Sequence, residues 1–191
     1  MSFRKKIVMV SDWGCGKTSL ATRMTMGNFS GEHSPNLHVN FFAEGEVDGK
    51  HIELVLWEVV VLEEYERMRP LNYPNSHVVL ICFAVDDPTS LENASDKWIC
   101  EVQQYCPGIP IILLGCKMDL RDNTNAVEGR EVVTQQLITP EEGQAVAQKI
   151  GAKYYLECSA KTGDGVSEVF QHAARAALEQ KKKCVKMCVV V

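Results

Sequence analysis

The residues Ser11-Asp12-Trp13-Gly14-Cys15-Gly16-Lys17-Thr18-Ser19 follow the apolar stretch Lys6–Val10. Two glycines let backbone N–H groups turn inward around an anion, a Lys amine can reach β- and γ-phosphates, and a Thr hydroxyl can meet Mg²⁺. The strict phosphate-loop spacing G-x-x-x-x-G-K-[ST] is missed at one place, because Ser11 stands where the first Gly belongs. Two more polar segments follow apolar runs: Cys116-Lys117-Met118-Asp119 and Cys158-Ser159-Ala160-Lys161. A carboxylate at Asp119 can accept from both N1–H and the 2-amino group of guanine, whereas adenine presents no donor there. Sites built on such paired polar contacts discriminate by orders of magnitude. Taken singly, the first segment also reads as an ordinary βα turn and the second as a solvated surface turn. Their shared position after strand-like runs favours a single nucleotide site.

The elements that must position these segments alternate along the chain. Lys6–Val10 reads as a strand, followed by a Gly-containing loop and a helix that Gly27 stops near Met26. His38–Val47 and Lys50–Trp57 read as strands joined at Asp48-Gly49, a hairpin signal. His77–Val85 and Ile109–Cys116 are near-continuous apolar runs that fit parallel strands buried on both faces. Ser90–Tyr105 reads as a helix between them. Thr139-Pro140-Glu141-Glu142 starts another, with Thr as N-cap, Pro at N1 and Glu at N3, running to Gly151. Lys153–Glu157 is a last strand and Val166–Gln180 a last helix. Glu58-Val59-Val60-Val61-Leu62 also reads as a continuation of the strand before it. The pattern predicts an α/β fold with an open, mostly parallel sheet covered by helices, and ligands at the carboxyl ends of its strands.

Composition narrows the class. The 191 residues suit one domain plus a tail, and 46% hydrophobic with 24% charged residues is ordinary for a globular protein. No apolar run reaches transmembrane length, and the basic then apolar N-terminus is too short for a signal peptide. Setting aside Lys181, Lys182, Lys183 and Lys186 leaves 16 basic against 25 acidic residues. An acidic body disfavours nucleic acid, while the basic tail favours an anionic membrane surface. The eight cysteines form no CxxC pair and are read as reduced cytosolic thiols, Cys82 and Cys116 acting as small hydrophobes. The histidines show no metal spacing. Trp57 and Trp98 read as packing residues.

The chain resembles the Rho family of the Ras superfamily of small GTPases. The resemblance rests on the GKT, KMD and SAK segments and on Tyr65–Pro74, Asp87–Trp98, Glu157–Lys161 and the ending CVVV. It covers nearly the whole chain. It implies a P-loop G-domain over residues 1–180, with a six-stranded, mostly parallel sheet, one antiparallel hairpin strand and helices on both faces. It also implies a family-specific insert helix at about 122–138 and a monomer. GTP or GDP with Mg²⁺ would be bound by Asp12, Trp13, Gly14, Cys15, Gly16, Lys17, Thr18 and Ser19. Phe29, Asn36 and Val61 would help, and Cys116, Lys117, Asp119, Ser159, Ala160 and Lys161 would hold the base. Mg²⁺ would be held by Thr18, Asn36 and Glu58.

Departures from the family cluster in that site. Trp13 replaces a Gly beside the γ-phosphate and is expected to crowd the attacking water or an inserted arginine finger. Leu62 replaces the Gln that orients the water, so hydrolysis is expected to be slow or absent, following the family's own mechanism. Glu58 replaces a shorter Asp. Val61 replaces a Gly whose backbone freedom a β-branched residue lacks. Asn36 replaces a Thr, His33 a Tyr, and His38-Val39 the effector-facing Phe-Glu, so the usual effectors should bind poorly. Cys116 replaces an Asn that bridges loops.

The ending Cys188-Val189-Val190-Val191 fits prenylation on Cys188, with Lys181, Lys182, Lys183 and Lys186 as a second membrane signal. The expected location is the cytoplasmic face of a membrane. Two functional readings stand side by side. One is a slow-hydrolysing guanine-nucleotide switch in signal transduction. The other is an interaction module with the same fold, weak or absent nucleotide binding and no working switch. An ATP-using enzyme is disfavoured by Asp119 and the Ser159-Ala160-Lys161 loop.

Overall fold

The computed structural model describes residues 3–29, 40–123 and 137–180. Six strands, β1 (Phe3–Val10), β2 (Asn40–Val47), β3 (Lys50–Glu58), β4 (Val78–Ala84), β5 (Ile111–Cys116) and β6 (Tyr154–Cys158), form one sheet in the order β2-β3-β1-β4-β5-β6. β1 lies parallel to β3 and β4, and β5 lies parallel to β4 and β6. Only β2 and β3 are antiparallel. Their turn is Asp48-Gly49, both at positive φ (51° and 72°), the two-residue geometry whose twist matches the flanking strands.

Period-two alternation sends each central strand's side chains to two separate cores. Ile7, Met9, Leu80, Cys82, Leu114, Cys116 and Cys158 pack with α1 (Lys17–Met26) and α6 (Val166–Glu179). Val8, Val10, Val79, Ile81, Phe83 and Leu113 pack with the opposite layer, which contains α2 (Pro88–Asn93), α3 (Ile99–Tyr105) and α5 (Pro140–Lys149). β4 is buried along its whole length, as its uninterrupted apolar run implies.

Helix ends follow the local chemistry. Gly27 takes φ 72° and returns its N–H to the Arg23 carbonyl, ending α1. Thr139 and Glu142 form a reciprocal capping box on α5. The helix expected over Ser90–Tyr105 begins earlier, at Pro88 under an Asp87 N-cap, and passes through a π-turn, Ala94–Trp98, between α2 and α3.

The Val59–Leu62 segment does not continue β3. Val59 N–H bonds the Met9 carbonyl, and the described ladder ends at Met9–Glu58. β1 ends at Val10 and its chain leaves the sheet at Ser11, so that edge offers the valines no further partner. A 3₁₀ segment, Glu63–Asn72, follows instead. The expected insert helix lies mostly in 124–136 and the polybasic tail in 181–191, both outside the described residues; α4 (Leu120–Asn123) is one turn at the edge of the former.

Candidate functional site

A cavity of about 420 Å³ opens at the carboxyl ends of β1, β5 and β6. That volume suits a small-molecule ligand. Gly14, Gly16 and Ser19 line it from the first loop and α1, and Phe29 closes one side. Cys116, Lys117, Asp119, Ala160 and Lys161 line the other end. The three segments singled out in the sequence therefore meet in one place.

Gly14 and Gly16 carry positive φ (76° and 94°), which turns the loop tightly into the first turn of α1. Lys17 is 5% exposed and folds back along the loop. Its amine donates to the Ser11 hydroxyl at 2.6 Å and lies 3.2 Å from the Asp12 carbonyl and 3.4 Å from the Ser11 carbonyl. Ser11, the residue that breaks the strict motif, thus adds an oxygen beside the loop lysine. Its own hydroxyl donates to the Asp12 carbonyl.

Thr18 Oγ1 donates to Glu58 Oε1 at 2.6 Å. The longer Glu58 side chain therefore still reaches the helix start from the end of β3. A hydroxyl beside a carboxylate is a hard-oxygen pair, the donor type that suits Mg²⁺. Asn36, the third expected donor, lies outside the described residues, as do His33, His38 and Val39. Val61 is half-buried against the core beneath α2 and α3, and Leu62 precedes the 3₁₀ segment with 41% of its surface exposed. Trp13 is 58% exposed and is not among the residues lining the cavity.

At the far end, Asp119 is buried and accepts from the Ser159 hydroxyl at 2.6 Å, with the Lys161 amine 3.9 Å from its second oxygen. Lys117 sits at φ 64°, and its amine meets Asp86 at 3.1 and 3.2 Å. Met118 N–H bonds the Cys158 carbonyl, tying this loop to the end of β6. Arg121, two residues past Asp119, makes a fork to Glu157 at 2.5 and 2.8 Å and also reaches the Ile138 carbonyl. Such bidentate pairs fix geometry as well as charge. Cys116 packs under Gly16: a Cβ added there would sit 3.7 Å from Cys116 Cβ. Cys15 is buried and does not line the cavity; burial pushes its thiol up.

Several residues escaped the sequence reading. Leu20 and Leu120 complete the cavity wall, beside Cys158 at the head of the third segment already singled out. Leu20 lies one helical turn after Lys17 and Leu120 directly follows Asp119, so both were reachable by simple spacing. Trp98 is not only a packing residue. Its Nε1–H donates to Asp12 Oδ1 at 2.9 Å, and Asn93 Nδ2 donates to Asp12 Oδ2 at 2.7 Å. The Asp12 side chain is thus committed to the α2–α3 layer, and its carbonyl is what meets Lys17. Trp57 is half-buried, with the Lys6 amine 3.9 Å above its ring.

A family model described as the Ras family matches residues 6–179. "GTP-binding protein rho1" of Schizosaccharomyces pombe is 52% identical over 183 residues, covering 96% of this chain and 91% of that protein. "GTP-binding protein rho5" of the same organism is 53% identical over 175 residues, with 92% and 88% covered. "GTP-binding protein RHO1" of Saccharomyces cerevisiae is 51% identical over 182 residues, with 95% and 87% covered. Among the described residues, no helix is long and apolar enough to cross a membrane.

Proposed function

The chain belongs to the Ras family, as a Rho-family small GTPase, and from that premise we propose a membrane-anchored signalling switch that binds guanine nucleotide and hydrolyses GTP slowly or not at all. The observation that carries the nucleotide reading is the cavity itself, which has Asp119 in its wall at one end and Gly14 and Gly16 in its wall at the other. Asp119 would accept from the two donors of guanine while Ser159 and the Arg121–Glu157 fork hold it in position. Lys17 and the glycine-loop amides would take the phosphates. Thr18 and Glu58, with Asn36 as third donor, would hold Mg²⁺, which when bound offsets phosphate charge. Leu62 has no atom that can orient a water, and this supports slow hydrolysis. Trp13 adds bulk in the glycine loop.

Anchoring would come from a prenyl group on Cys188. One lipid chain holds a protein only marginally, and four tail lysines at about 1 kcal/mol each near anionic lipid would supply the second signal. Cys188→Ser should move the protein from the membrane to the soluble fraction; unchanged fractionation refutes the lipid anchor.

The second reading, an interaction module without a switch, is favoured by one contact. The Lys17 amine already has three oxygens of its own loop within 3.4 Å, Ser11 supplying two of them. Purification with Mg²⁺, denaturation and chromatography of the released nucleotide separates the two. Stoichiometric GTP supports the slow switch. GDP means that turnover survives, which removes the slow-hydrolysis claim unless added GTP then persists. No nucleotide supports the interaction module.

A further inference from the structure

We propose that Cys116 and Cys158 form a peroxide-oxidisable thiol pair in the cavity wall, which a bound nucleotide shields. The two cysteines end β5 and β6 as in-register neighbours on parallel strands. Adjacent strands run about 4.8 Å apart, inside the Cα separation that a disulfide accepts. Both side chains belong to the core shared with α1, so they emerge on the same face of the sheet. Both also line the cavity, although almost none of their surface reaches bulk solvent. Among the described residues, a small neutral oxidant entering the cavity would meet sulfur only at these two positions of its wall.

The surroundings also favour Cys116 as the sulfur that reacts first, and the linked pair is the same whichever of the two begins. The neighbouring Cys158 and Cys82 thiols draw the Cys116 thiol below its usual range against the opposing effect of burial, and Lys17 and Lys117 add to this. The same contacts and burial push Cys158 and Cys82 up. Thiolate is the reactive form. The Cys116 thiolate would attack hydrogen peroxide, breaking the O–O bond and releasing hydroxide, which takes the proton lost by Cys116. The resulting sulfenic acid would be attacked by the Cys158 sulfur, forming the S–S bond and expelling the oxygen as a second water. Two thiols and one peroxide become one disulfide and two waters. Cys82, on β4, lies one strand away from Cys158 on the far side of Cys116 and is absent from the cavity wall.

The shielding half rests on the nucleotide reading of the cavity. The test uses the full chain, once stripped with EDTA and once reloaded with GDP and Mg²⁺, both exposed to hydrogen peroxide. Remaining thiols are then alkylated under denaturing conditions and mapped by mass spectrometry. The expected result in the stripped protein is one Cys116–Cys158 linked peptide and the loss of alkylation at those two positions, with slower formation in the GDP sample. In Cys158→Ser, dimedone should trap a sulfenic acid on Cys116. Cys116 and Cys158 both alkylated, with oxidation only at exposed Cys100, overturns the pair. Equal rates in a GDP sample whose occupancy is verified by fluorescent-nucleotide displacement overturn the shielding. Failure of GDP to bind instead counts against the nucleotide reading, while the linked peptide still decides the pair.

Discussion

Asp12→Ala should destabilise the fold although it touches a loop and not the core. Asp12 takes two hydrogen bonds, one on each carboxylate oxygen, from Trp98 Nε1–H at 2.9 Å and Asn93 Nδ2 at 2.7 Å. Hydrogen bonds to a charged group contribute about 1.5–3 kcal/mol each. Trp98 is fully buried, so its indole N–H would be stranded without water when the carboxylate goes. The two contributions are not additive, and about 3 kcal/mol is expected for Asp12→Ala. Trp98→Phe, which removes the donor and keeps most of the ring, should lose about 1.5 kcal/mol. Because both changes break the same contact, the double variant should be less destabilised than the sum by about 1.5 kcal/mol. Urea unfolding of the four proteins at one fixed nucleotide concentration measures this, since any shared ligand effect cancels in the cycle. Additivity within about 0.5 kcal/mol would refute the claim that these side chains hold one another.

Three further outcomes are expected. Gly165→Ala should lose about 3 kcal/mol, because its φ of 72° disfavours any Cβ and the new atom would overlap the Glu157 carbonyl oxygen. Gly151→Ala, at φ 69° with nothing within 4 Å, should lose only about 1 kcal/mol, so the two melting temperatures should separate by several degrees. Asp119→Ala should weaken GDP binding by about a hundredfold while leaving ADP binding unchanged, measured by displacement of a fluorescent nucleotide; an equal loss for both bases would remove Asp119 from base selection. Trp13→Gly combined with Leu62→Gln should raise single-turnover GTP hydrolysis, and no gain would refute the assignment of a hydrolysis defect to these two residues.

The sheet was legible because its two central strands β4 and β5 are apolar runs with a partner on each side. His77–Val85 and Ile109–Cys116 have no other stable home than the middle of a parallel sheet. The cavity was legible because each loop that forms it follows such a strand. Val59–Leu62 misled because β-branched residues favour strands only where a ladder is available, and β1 leaves the sheet at Ser11. The Asp12 clamp was hidden by spacing. Asn93 and Trp98 are five apart, which an α-helix turns about 140° away from each other. The π-turn between α2 and α3 changes the winding there, and both side chains reach one carboxylate. Nothing in the local propensities of that stretch marks the change.

Trp98 carries one more consequence. Its indole donates to Asp12 in the glycine loop, and its ring lies 5.5 Å from the guanidinium of Arg69 in the 3₁₀ segment. Arg69 is itself buried and paired with Glu101 on α3. One chromophore therefore borders both the glycine loop and the 3₁₀ segment. The protein carries its own reporter: the Trp98 indole resonance and emission can follow the two loops at once, with no label attached, once Trp13 and Trp57 are replaced.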